Sequence, residues 1–209
     1  MTRIWDISPC LQAESPTFPG DTSFSLSWKW RIDPNCPVNV SEINLSPHVG
    51  AHADAPLHYD AHGAGIGELP LAPYIGACRV IHAIEVGPLI TIAHLEHAAF
   101  RMPPRLLVRT AQRAATERWN DTFTAFAPET IQWLADRGVS LIGLDTPSID
   151  PASSKTLDSH QAIARLDMRV LENLVLDEVA EGDYELIALP LKIMGADASP
   201  VRAILRQLR

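Results

Sequence analysis

Several absences narrow the field before any motif is read. No stretch is apolar for the roughly 20 residues that a bilayer-spanning helix requires, and the start, Met1-Thr2-Arg3-Ile4-Trp5-Asp6-Ile7-Ser8, lacks the apolar core of an export signal. Neither export nor membrane insertion is expected. Cysteine is scarce: Cys10, Cys36 and Cys78 are odd in number, widely spaced and without a Cys-x-x-Cys pair. That pattern predicts reduced thiols in a cytoplasmic setting rather than a disulfide framework. Basic runs are missing too, since 17 Lys and Arg stand against 25 Asp and Glu with a formal net charge of -8. A phosphate backbone needs clustered cations, so no nucleic-acid partner is expected and a small-molecule ligand is the default.

What is present suits one domain over residues 1–209, with 46% hydrophobic and 20% charged residues, enough to bury a sizeable core. The N-terminal half reads as β-rich with functional loops, its strands expected over Phe24–Ile32, Ser41–Ser46 and Arg79–Val86. Trp28 and Trp30 sit two apart and are expected to share a buried face. From about Ile90 helices alternate with strands: a helix over Thr91–Phe100, a strand at Leu106–Val108, a helix over Pro128–Arg137 stopped by Gly138, and a buried strand over Val139–Leu144. Asp158 or Ser159 is expected to cap a helix running through Leu166, followed by extended chain over Met168–Leu174 and a strand over Tyr184–Leu189. Ala111–Asn120 reads as a polar connector. The fold class is mixed α/β.

The chemistry concentrates between Pro47 and His58, where His48, His52, Asp54 and His58 stand among small apolar neighbours, three of the eight histidines of the chain. Imidazole and carboxylate ligate divalent zinc or manganese, and Gly50, Ala51, Ala53 and Ala55 add neither competing ligands nor bulk. In extended chain His52 and Asp54 project to one side; Pro47, Gly50 and Pro56 oppose a helix here. Farther on, Glu172 interrupts the apolar run Val170–Leu174. Either it points inward and needs a compensating cation, or Val170 and Leu174 face solvent. His62 is expected at the rim of the cluster, His82 is expected to be structural, and His94 and His97 to lie on a solvated face.

The run His48-Val49-Gly50-Ala51-His52-Ala53-Asp54-Ala55-Pro56-Leu57-His58 resembles the His-x-Gly-x-His-x-Asp-x-Pro-x-His signature of the metal-dependent cyclase-like hydrolases, closest to the bacterial branch acting on N-formylkynurenine. Trp5–Ser8, Thr17–Asp21, Leu144–Ser148, Leu171–Leu174, Leu189–Lys192 and Ser199–Arg202 extend the likeness over most of the chain. The resemblance implies a swivelling β/β/α fold, a homodimer, and two divalent metal ions per chain, zinc with manganese as the alternative. It implies His48, His52 and Asp54 on one ion, His160 on the second, and Asp54 and Glu172 bridging both. His58 is then the general acid/base, Phe18 a substrate contact, and N-formyl-L-kynurenine the substrate. Ala51 departs from the Thr that many members of the wider family carry, which removes a hydroxyl but no ligand.

A formamide is resonance-stabilised, so its hydrolysis needs an activated water and a proton for the departing nitrogen. Three rivals stand beside this expectation. A sibling opening a cyclic amide such as isatin would use the same ligands. A non-haem iron oxygenase would use two histidines and one carboxylate, leaving His48, His58 and Glu172 idle. An inert structural or sensor site is disfavoured because such sites are usually closed and rich in Cys.

Overall fold

The computed structural model describes residues 2–208. Its strands are β1 (Ile4–Asp6), β2 (Ser25–Trp30), β3 (Val40–Asn44), β4 (His52–Asp54), β5 (Ile75–His82), β6 (Leu89–Ile90), β7 (Arg105–Arg109), β8 (Ala125–Phe126), β9 (Leu141–Leu144), β10 (Arg169–Glu172), β11 (Gly182–Ile187), β12 (Ala198–Pro200) and β13 (Ile204–Gln207). The helices are α1 (Ile92–Leu95), α2 (Pro128–Ala135) and α3 (Asp158–Arg165). The result is a mixed α/β fold made mostly of strands. Helices and strands alternate as expected up to β10, after which the chain is strand only.

A nine-stranded sheet in the order β1-β13-β11-β5-β7-β9-β10-β4-β12 organises the body. Its centre, β5, β7, β9 and β10, is parallel, and the flanking pairs are antiparallel. Parallel strands are normally covered on both faces and read as continuous apolar runs; β7, β9 and β10 follow that rule. Side chains alternate across them. Leu107, Leu141 and Leu171 enter one core with Tyr74, Tyr184 and Leu205, while Leu106, Val108, Ile142, Leu144 and Val170 enter a second core beneath Ile131 and Leu134 of α2 and Ile163 of α3. Gly143 sits between Leu107 and Leu171 in register, and a Cβ there would come within 2.7 Å of the Leu107 side chain. The position has no room for any larger residue.

Three expectations are corrected. Trp28 and Trp30 are 45% and 59% exposed rather than buried. The reason is topological: β2 pairs only with β3, the ribbon joins neither core, and a register irregularity falls between the two tryptophans. The helix expected over Thr91–Phe100 shrinks to the single turn of α1 and a following 3-10 turn at Glu96–Ala98. Finally, neither Asp158 nor Ser159 caps α3. Asp150 does so from outside, accepting hydrogen bonds from the Ser159 and His160 backbone N–H groups at 3.0 Å each. Among the described residues no helix is long and apolar enough to cross a membrane.

Candidate metal centre

The parallel strands deliver the site. The C-terminal ends of β7, β9 and β10 open onto one cavity of about 740 Å³ through Thr110, Asp145 and Glu172, the edge at which α/β sheets commonly bind ligands. β4 lies antiparallel against β10 with His52 opposite Glu172. His52 and Asp54 share a face of β4, as two-residue spacing dictates. His160 enters from the first turn of α3 and His48 from the loop before β4. Glu172 is buried, which resolves its two readings in favour of the inward one.

The six residues singled out around the signature meet here: His48, His52, Asp54, His58, His160 and Glu172. Asp54 Oδ1 lies 3.1 Å from His48 Nδ1 and 3.4 Å from His52 Nε2, while its Oδ2 lies 3.3 Å from His160 Nε2. Glu172 divides the same way, with Oε2 3.3 Å from His52 Nε2 and Oε1 3.6 Å from His160 Nε2. Each carboxylate thus turns one oxygen to the His48/His52 side and the other to the His160 side. His52 Nε2 and Asp54 Oδ1 are buried without a hydrogen-bond partner, so these atoms converge on a point rather than bonding to one another.

The outward ring nitrogens are engaged. His52 Nδ1 is 2.9 Å from the Gly50 carbonyl, His160 Nδ1 is 2.7 Å from Asp150, and His48 Nε2 is 3.0 Å from Asp197. A proton on each of these nitrogens leaves the inward nitrogen with a lone pair, the arrangement metal-ligating histidines require. Burial alone would lower the pKa values of His52 and His160, but carboxylates outweigh it. Asp54 and Glu172 raise His52 to about 10, and Asp150 and Asp54 raise His160 to about 10. Burial would likewise raise Asp54, yet His160, hydrogen-bonded to its Oδ2, and the adjoining His48 and His52 rings hold it well below the usual carboxylate range. The pocket demands positive charge, and a divalent cation answers the donor set: His48, His52 and Asp54 have ligand atoms within 4.8 Å of one another.

His58 occupies the cavity wall, its ring 4.3 Å from that of His48 and its Nδ1 3.4 Å from Asp197 Oδ2. It also falls within ligand reach of Asp54 and His160. Phe18 lines the mouth, 57% exposed and edge-on to Trp119 with ring centres 5.2 Å apart. The other histidines stand apart: His62 is exposed and outside the cavity lining, His82 bonds the Val179 carbonyl, and His94 receives the Thr91 N–H.

Two residues escaped the sequence reading. Asp150 orients His160 besides capping α3, and Asp197 turns a single oxygen to both His48 and His58. A signal for Asp197 exists, since Ala196-Asp197-Ala198 repeats the small-residue setting of Ala53-Asp54-Ala55.

The Cyclase family profile matches residues 5–151. The kynurenine formamidase of Bordetella petrii is 69% identical over 208 residues, covering 100% of both chains, and that of Delftia acidovorans is 66% identical over 99% of this chain and 98% of its own. A solved structure described as a potential metal-dependent hydrolase with cyclase activity superposes with a TM-score of 0.86 at 23% identity, covering 100% of both chains. An isatin hydrolase follows at a TM-score of 0.85 and 19% identity, covering 100% of this chain and 93% of that one. With the profile matched over most of its length and such relatives aligned from end to end, the chain belongs to the Cyclase family and shares its sequence family with the bacterial kynurenine formamidases.

Proposed function

We propose that this chain, as one domain over residues 1–209, hydrolyses N-formyl-L-kynurenine to L-kynurenine and formate using two divalent ions, zinc with manganese as the alternative. His48, His52 and Asp54 would hold one ion and His160 the other, with Asp54 and Glu172 shared between them. The observation that carries the two-ion reading is the split of both carboxylates, one oxygen toward each group of histidines. Support for the substrate comes from the 69% identity to the formamidase of Bordetella petrii.

Divalent ions held by these residues would supply Lewis acidity, which lowers the pKa of water from about 16 toward 7. The chain's own residues do the rest. Water adds to the formyl carbon, the C–N bond breaks, formate departs, and the anilino nitrogen takes up a proton. His58 is the group to move that proton, because its Nδ1 faces Asp197 and its Nε2 remains for the reacting atoms. Phe18 offers its ring to the aryl group at the mouth.

The same reading takes the protein to be a cytoplasmic homodimer. Unpaired Cys10, Cys36 and Cys78 support the compartment. The β2–β3 ribbon supports the dimer, since none of its strand residues is buried although Leu26, Trp28, Trp30 and Ile43 are large and apolar. Light scattering should give twice the 22.9 kDa of one chain.

Metal analysis coupled to an N-formylkynurenine assay tests the activity. Two ions per chain with release of formate, sustained without oxygen, is the expected result. Failure to cleave the formamide with metal loaded, or faster opening of isatin, would overturn it.

A further inference from the structure

The stretch Ala111–Asn120, a polar connector by sequence, forms one wall of the cavity. Its base is tethered. Asp145, buried at the end of β9, accepts hydrogen bonds from the Thr110 N–H at 2.9 Å, the Thr110 hydroxyl at 2.6 Å and the Ala111 N–H at 3.2 Å. Arg109 donates to the carbonyls of Ala111 and Gln112 at 3.0 and 2.7 Å, and Asp177 accepts from the Ala114 N–H at 2.9 Å. At its far end Trp119 packs against Phe18 and Phe123, ring centres 5.2 and 6.4 Å away. The wall is thus pinned by hydrogen bonds over residues 110–114 and by the ring of Trp119.

From this wall Arg113 and Arg118 line the cavity, joined by Lys155 from the loop before α3, and Asp21 and Glu85 line the same space. Among the described residues none of these five charges takes part in an ion pair, whereas Arg79, Arg202 and Arg206 are each matched to a carboxylate. Glu85 is further distinguished by a left-handed backbone, φ 56°, with its N–H donated to the Thr110 carbonyl at 3.0 Å. Such a conformation is uncommon outside Gly and Asn and clusters at ligand-binding positions. Charges of both signs thus face one cavity without neutralising each other.

N-formylkynurenine has a formanilide at one end and, at the other, an α-amino acid that carries a carboxylate and an ammonium at neutral pH. A site that opens the first end at its floor must receive the second at its mouth. We propose that Arg113, Arg118 and Lys155 receive the α-carboxylate while Asp21 and Glu85 receive the α-ammonium, so that the mouth selects formanilides bearing a zwitterionic tail. This rests on the formamidase reading above.

The test uses two substrates with the metal-loaded enzyme: N-formyl-L-kynurenine, and 2-formamidoacetophenone, which keeps the aryl ketone and formamide but lacks the tail. Arg113→Ala combined with Arg118→Ala should lower the ratio of their kcat/KM values by about 10-fold, mainly through KM for the tailed substrate, because solvent-exposed charge pairs contribute modestly and bidentate guanidinium contacts more. Glu85→Gln should lower it by about 3-fold. A ratio unaltered in both overturns the proposal, and a change in the arginine variant alone removes its ammonium half. Cleavage of neither substrate by the unmodified enzyme would sink the formamidase reading as well; cleavage of both at a constant ratio sinks only the mouth.

Discussion

The floor of the cavity and its mouth are built on opposite plans. Floor residues His52, Asp54, His160 and Glu172 stand on β4, α3 and β10 and are buried, and His52, His160 and Glu172 have their rotations locked by hydrogen bonds to Gly50, Asp150 and the Ile149 N–H. The mouth, Phe18 and the 111–124 wall, is made of loops that carry the exposed ring of Phe18, the half-buried rings of Trp119 and Phe123, and exposed charges. Reacting groups must be held within tenths of an ångström, so they sit on strands and a helix. Recognition of a solvated tail tolerates more play and can be left to loops. Floor substitutions should therefore act on metal content and kcat, and mouth substitutions on KM.

The largest break is at the shared carboxylate. Asp54→Ala should cut turnover by roughly 1,000-fold or more, because on the two-ion proposal both ions would lose a ligand and water its activation; elemental analysis of the variant should show the metal gone. His58→Ala is next, with turnover down by about 100- to 10,000-fold and metal content retained. Metal lost in that variant would make His58 a ligand instead. Acidity gives the third test. With His52 and His160 raised to about 10 in the absence of metal, a cation binding at either histidine would have to displace its proton. Affinity then rises with pH and falls on acidification, by roughly 100-fold per displaced proton between pH 8 and 6, and calorimetry in buffers of different ionisation enthalpy should count the protons released.

Asp197→Asn lies between floor and mouth. It keeps the side-chain shape but weakens the hold on His48 and His58, so metal affinity or kcat should fall by about 10- to 100-fold; equilibrium metal titration and saturation kinetics separate the two. Smallest is Phe18→Ala, where lost ring contact should raise KM by about 2- to 12-fold with kcat little changed. An effect on kcat equal to that of His58→Ala would erase the distinction between floor and mouth.

The same division decided what could be read from sequence. His48, His52, Asp54 and His58 are close in the chain, and their ligand types and the two-residue spacing of His52 and Asp54 survive folding unchanged. Glu172 stood out in its apolar run, but its place in the site, like that of His160, became legible only by resemblance, since nothing local says that a helix start and a strand end 106 and 120 positions away meet Asp54 and His52. Asp150 was hidden for a related reason: capping was sought next to α3, whereas the cap arrives from a loop 9 residues earlier. The continuous apolar run of Leu106, Leu107 and Val108 foretold a strand, and that of Val139–Leu144 a buried one. Alternation in β2 foretold a strand but not its covering, because period two reports which residues share a face and not what packs on it.

The strand that carries His52 and Asp54 is paired on both sides with strands made much later, β10 and β12. During synthesis the signature residues therefore emerge long before their partners. The nascent chain offers at most an open, weak set of ligands, and Asp197, 149 positions along the chain from His48, reaches it only once the C-terminal strands have docked. Such non-local closure is slow compared with hairpin or helix formation. The full set of candidate ligands therefore exists only once β10 and β12 have docked on β4, so a cation that needs them all would clasp a finished sheet rather than nucleate its growth.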